Sequence, residues 1–241
     1  MAGHSKWAQI KHKKAITDAK KGARFSKLVQ EVQVAARVGG TNPDGNPRLR
    51  TALSKAREAG LTKEVLDRAT MRANGGNETK LEEFLYEATA PGGIMIIIEG
   101  ITDSTNRTHA ELKHLLSLHN AQLEGPGSVL WNFQKIGILE FSKTNATGKS
   151  NDDIELAAID AGATDIKTEE NRWNIETVFE QCDTVRKNLG AGGISPCTTS
   201  HEYRSKSPLT ITEKSLRELE PLFEALIDHD DVLEVYTNIA E

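Results

Sequence analysis

The sequence predicts an α+β protein, built as an N-terminal three-helix domain followed by two ferredoxin-like α/β domains, one inserted in the other. Three observations predict it. Helical periodicity occupies roughly the first 75 residues, and strand patterning begins only past a glycine- and asparagine-rich break. From residue 136 the elements follow a βαββαβ order, the ferredoxin-like succession. Charge divides at the same place: residues 1–80 hold 17 Lys and Arg against 7 Asp and Glu, whereas 81–241 hold 13 against 28, in a chain of net charge −5. With 241 residues, 37% hydrophobic and 27% charged, the chain has apolar material for two or three compact units.

Taken in order, Phe25, Leu28, Val29, Val32 and Ala36 repeat at helical spacing, which predicts an amphipathic helix over about 16–38. Lys20, Arg24 and Lys27 fall on its opposite face. A loop over 39–46 leads to Asn46, an N-cap, with Pro47 at the first helical position. Leu49, Ala52, Leu53 and Ala56 form the second buried stripe, and Gly60 closes that helix. A third helix starts at Thr62, with Leu61 and Leu66 placed as a hydrophobic staple, and 73–79 reads as a hinge.

Strands follow at 83–89 and 94–101 around a hairpin turn at Pro91-Gly92-Gly93, then a helix at 105–118 and a short strand at 128–133. The βαββαβ order comprises strand 138–142, helix 152–161, strands 166–168 and 173–177, helix 182–189 and strand 198–203. A last helix, 213–227, and a strand, 232–236, have no partners nearby in sequence and complete the sheet begun at 81. The expected domains are therefore 1–80, 81–133 plus 207–241, and an inserted 134–206. The discontinuous domain has 4 basic and 16 acidic residues and the insert 9 and 12, so bulk charge makes neither a credible phosphate binder.

The candidate binding stretch is residues 1–27, where Lys6, Lys11, Lys13, Lys14, Lys20, Lys21, Arg24 and Lys27 face a single acid, Asp18. Each cation set on a phosphate releases condensed counterions, so such a concentration suits a polyanion. Trp7 and His12 add groups that stack on bases or bond to them. Arg48 and Arg50 extend the set into the second helix.

Other chemistry is mostly excluded. Thr147-Gly148-Lys149-Ser150 lacks the first glycine of a phosphate-binding loop, because position 143 is lysine, and reads as a turn before a helix. Gly190-Ala191-Gly192-Gly193 follows a helix rather than a strand and reads as a helix stop. His109, His114 and His119 lie five apart and do not share a helix face as zinc ligands do. Asp228-His229-Asp230-Asp231 reads as a solvated turn in preference to a cation site. No catalytic constellation, metal site or cofactor motif emerges, so a non-enzymatic role without cofactors is expected. The longest apolar run, Ile94 to Ile98, falls short of the ~20 residues of a membrane span. No apolar segment of a secretory signal follows the basic N-terminus, and Cys182 and Cys197 suggest reduced thiols, so a cytoplasmic location is expected.

Several ordered motifs resemble the YebC family: Ala2-Gly3-His4-Ser5-Lys6-Trp7, Ile10-Lys11-His12-Lys13-Lys14, Val34-Ala35-Ala36-Arg37, Asn46-Pro47-Arg48-Leu49-Arg50, Pro91-Gly92-Gly93, Thr102-Asp103 with Asn106-Arg107-Thr108, and Gly127-Ser128-Val129. The likeness covers essentially the whole chain. One departure is Glu87-Ala88-Thr89-Ala90, in place of a glycine-rich run before Pro91. The resemblance implies a helical domain and two α/β domains, and a bacterial transcriptional regulator that binds DNA. Other members resemble ribosome-associated translation factors, among them a mitochondrial translational activator of cytochrome c oxidase, and some relieve stalls at proline runs. The expected partner is thus DNA or ribosomal RNA, with the ribosome as the wider partner in the second case and protein partners on the acidic domains. An enzyme with an interdomain site is a further alternative.

Overall fold

The computed structural model of the chain describes residues 18–73, 81–142, 150–168, 172–194 and 198–240, with backbone alone for 18–21. The helical part comprises α1 (Asp18–Gly39), α2 (Pro47–Glu58) and α3 (Lys63–Arg72). Next come β1 (Glu82–Ala90), β2 (Ile94–Thr102), α4 (Thr105–Leu118) and β3 (Gln122–Glu124). The central region holds β4 (Phe133–Ser142), α5 (Asn151–Ala161), β5 (Asp165–Thr168), β6 (Arg172–Val178), α6 (Cys182–Ala191) and β7 (Thr198–Ser205). The chain closes with α7 (Glu213–Asp228) and β8 (Val232–Thr237).

The three helices pack through small residues. Val32, Ala35 and Ala36 of α1 meet Leu49, Ala52, Leu53 and Ala56 of α2 and Leu66 and Ala69 of α3. The predicted stripe is correct in its second half, while Phe25, Leu28 and Val29 are only partly buried. Asn46 does cap α2: its Oδ1 accepts from Leu49 N at 3.0 Å. It also bonds the end of α1, since Nδ2 donates to Ala35 O and Gly40 O, both at 2.8 Å. A Cβ on Gly39 would lie 2.6 Å from the Asn46 side chain, so glycine is required there.

The first sheet has the order β3-β1-β2-β8. β1 and β2 pair antiparallel from Glu82↔Thr102 to Ala90↔Ile94. Gly92 and Gly93 take φ of 84° and 79° in the turn, a region that costs glycine little. β2 and β3 both run antiparallel to β1 and are joined through α4, a split β-α-β unit. Ile94, Ile96 and Ile98 of β2 enclose a core with Leu112 and Leu116 of α4 and Leu219, Leu222, Phe223 and Leu226 of α7. The distant C-terminal helix and strand therefore complete this sheet.

One predicted strand is corrected. Residues 130–132 form a turn of 3-10 helix, and the third strand of this sheet is β3, three residues long. Three residues carry no readable period-two signal, so the sequence did not reveal it.

The second sheet has the order β5-β6-β4-β7, with α5 and α6 supplying Ile154, Ala158, Val185 and Leu189 to a core with Leu139, Phe141, Trp173 and Ile175. Ser150 caps α5 in a reciprocal capping box with Asp153, which explains the last residue of the lysine-bearing turn. α6 ends at Gly192, with Gly193 at φ 79°. Burial pushes the Cys182 thiol up to about 11, so it is inert at neutral pH.

The described residues divide into two compact units. One lies within 135–203, and the other combines residues up to 134 with 204–240. The helical part and the first sheet belong to the same unit.

Candidate nucleic-acid interface

Of the predicted binding residues, Lys6, Trp7, Lys11, His12, Lys13 and Lys14 lie outside the described residues, and so do the side chains of Lys20 and Lys21. Arg24 is exposed on α1, as the helical wheel predicts. The other three are occupied within the chain. Lys27, expected on the solvent side, is half-buried and donates from Nζ to Ile227 O at 2.7 Å. That carbonyl belongs to the last turn of α7, where the helix leaves acceptors unsatisfied and its dipole favours a cation. Arg48 forks onto Glu83, with Nη1 to Oε2 at 2.9 Å and Nη2 to Oε1 as the second arm. Arg50 folds onto its own loop and donates to Pro43 O at 3.0 and 3.2 Å and to Asp44 O at 3.0 Å.

Arg37, from the quoted Val34-Ala35-Ala36-Arg37 motif, donates from Nη1 to Leu81 O at 3.2 Å. Lys27, Arg37 and Arg48 thus hold the helical part against the first α/β part through three separate contacts. Beside them a cleft of about 920 Å³ opens. Gln30, Gln33, Arg37 and Arg72 line one side, and Asp103, Arg107, Glu111 and 228–231 line the other.

The second wall is a connected polar network: of the solvated turn expected at 228–231, Asp228 and Asp230 are exposed, whereas Asp231 is not. Asp231 is only 6% exposed. Its Oδ2 accepts from Thr108 Oγ1 at 2.5 Å and Arg107 Nη2 at 2.9 Å. A hydroxyl has one proton, so if Thr108 gives its own to the carboxylate, Thr102 must donate across the 2.7 Å contact to Thr108. Burial alone would raise the Asp231 carboxyl, but the hydrogen bonds from Thr108 and Arg107 hold it below the usual carboxylate range. Arg107 also meets Asp103 at 2.8 Å. His229 Nδ1 accepts from Asp231 N, which leaves Nε2 to donate to Glu111 Oε2 at 3.2 Å. Thr102, Arg107 and Thr108 of the quoted motifs therefore join β2–α4 to the α7–β8 turn. Among the described residues no group of three or more His, Cys, Asp or Glu is arranged to hold a metal ion.

Sequence reading missed a further constellation. Glu87 is buried in β1. It accepts backbone N–H bonds from Gly127 at 2.5 Å, Val129 at 2.7 Å and Leu130 at 2.8 Å. Burial would raise its carboxyl, and the three N–H groups outweigh that and hold it low. The loop so anchored presents Trp131, 62% exposed, with its indole N–H donating to Ser128 O at 2.9 Å. Lys206 Nζ donates to Trp131 O at 2.8 Å. The quoted Gly127-Ser128-Val129 motif marks this loop, although nothing in it names Glu87 as the partner.

No helix among the described residues is long and apolar enough to cross a membrane. Residues 5–76 match the model of the TACO1/YebC protein N-terminal domain, and 81–239 match that of the TACO1/YebC second and third domain. A relative from Fervidobacterium nodosum is 42% identical over 239 residues, covering 99% of this chain and 93% of its own. One from Desulfosudis oleivorans is 38% identical, covering 99% and 96%. Both are called "Probable transcriptional regulatory protein". The crystal structure of a conserved hypothetical protein, Aq1575, from Aquifex aeolicus is similar at a TM-score of 0.80 and 37% identity, over 98% of this chain and 96% of that one. With both domain models matched in order along nearly its full length, the chain belongs to the TACO1/YebC family.

Proposed function

We propose that the protein is a non-enzymatic, DNA-binding transcriptional regulator that grips phosphate through its basic helical N-terminal domain. The observation that carries this reading is the charge of residues 1–27, eight cations against one acid in an acidic chain. The relatives' name supports a regulatory role. The in-chain partners of Lys27, Arg48 and Arg50 move the weight of the reading onto Lys6, Lys11, Lys13, Lys14, Lys20, Lys21 and Arg24, with Trp7 and His12 nearer the bases. The proposed division is 1–80 for binding, and 81–133 plus 207–241 with 134–206 as acidic domains that receive protein partners. A reduced, inert Cys182 suits a cytoplasmic setting.

A second reading, binding to ribosomal RNA as a translation factor, is favoured by one observation. Lysine outnumbers arginine seven to one in the stretch, and lysine is a point charge rather than a bidentate reader of guanine. Both readings predict salt-sensitive binding of modest sequence preference. Gel shifts with duplex DNA and with ribosomal RNA across a salt series test them. Lys11→Glu, Lys13→Glu and Lys14→Glu together should abolish binding to the physiological target, and unchanged affinity would overturn both. Co-sedimentation with ribosomal particles at low salt would select the second.

A further inference from the structure

We propose that Trp131 is a stacking platform for an unpaired nucleic-acid base, with Lys206 beside it for the neighbouring phosphate. This rests on the nucleic-acid reading above but places a contact outside the basic helical domain. An indole 62% exposed to water is an unusual use of the largest apolar side chain, and here it is held in place. Glu87 fixes the backbone of its loop through three N–H bonds, and the indole N–H is tied to Ser128 O. The ring is therefore oriented before any partner arrives, so little entropy is lost on stacking.

The surroundings favour a base over a protein side chain. Gly125, Pro126, Gly127 and Ser128 of the same loop are exposed and carry no large apolar side chain, so the loop itself supplies little of the surrounding contact that shields a protein hot spot from water. A base needs only an open ring face and a nearby cation. Lys206 supplies the cation. Its ammonium spends one of three donors on Trp131 O, which leaves two for phosphate. The two paired acids of β1 and β3 are engaged: Glu87 is enclosed, and Glu124 accepts from Thr89 Oγ1 at 2.7 Å.

The test uses the full chain with Trp7 retained, and fluorescein-labelled oligo(U) and a labelled duplex DNA of equal length as probes, with affinity read from probe anisotropy. Oligo(U) should also quench part of the tryptophan fluorescence, and Trp131→Ala should reduce that quench. The same variant should weaken oligo(U) binding by about 5- to 100-fold without changing its salt dependence. Trp131→Phe should retain most of the affinity, and Lys206→Ala should reduce the salt slope by about one. Duplex binding should be unaffected, since its bases are already stacked. Unchanged oligo(U) affinity in Trp131→Ala, or equal weakening on both probes, overturns this proposal while the parent's binding keeps the general reading intact. A parent that binds neither probe at low salt overturns the general reading and this one with it.

Discussion

Glu87 carries a charge in a place that excludes water, because three backbone N–H groups replace the solvent it loses. Glu87→Gln would turn an amide NH₂ towards those donors and should cost about 1–3 kcal/mol, read from denaturant unfolding. The pH dependence has a definite sign. Its folded carboxyl lies below the ordinary range, so its stabilisation is complete above about pH 4.3 and is lost as pH falls through the depressed value. Unfolding free energy measured between pH 7 and 3 should therefore fall less steeply in the variant than in the parent; equal slopes would remove Glu87 from the account. Asp231 acts in the same direction through Thr108 and Arg107. Neither role was legible in the sequence. Glu87 meets partners some 40 positions away and Asp231 meets Thr108 and Arg107 across more than 120, and a carboxylate in a strand or a turn reads as solvated by default.

Between elements, the α1–α2 corner depends on one buried amide. Asn46 caps α2, binds two carbonyls at the end of α1 and occupies the space a Cβ on Gly39 would need. Asn46→Ala should cost about 1–3 kcal/mol, since it removes a cap and leaves buried carbonyls unpaired. Gly39→Ala should destabilise the same corner by collision. Hydrogen exchange should show the loss concentrated at the C-terminus of α1 and the N-terminus of α2; protection unchanged there would sink the argument. This element was half legible. Asn46-Pro47 marks a helix start by local rules, but the bonds back to α1 belong to tertiary structure. The long amphipathic helices and the β1–β2 hairpin were readable for the same reason, that their signals are local. β3 and the 130–132 turn were not, being short segments set by a neighbouring strand and by Glu87.

Over the whole molecule, the fold itself uses several cations of the helical part. Lys27, Arg37 and Arg48 seat those helices against the elements of the first sheet. The Arg48–Glu83 pair has side chains 42% and 48% exposed, so Arg48→Ala should cost less than about 1 kcal/mol, and less again in 1 M salt. Thermal unfolding at two ionic strengths checks this; a large, salt-independent loss would mean that the contact is more than a surface pair. The charge division, the amphipathic helices, the βαββαβ order and the return of the last helix and strand to the first sheet were all determined by the sequence alone. These depend on composition, period and order, which are properties of the chain read in one dimension. Which cations remain for a partner, which carboxylates are buried charged, and which tryptophan stands in solvent were decided only by tertiary structure. Each of those outcomes turns on a hydrogen-bond partner far away in sequence, and exposure is a property of the packed chain.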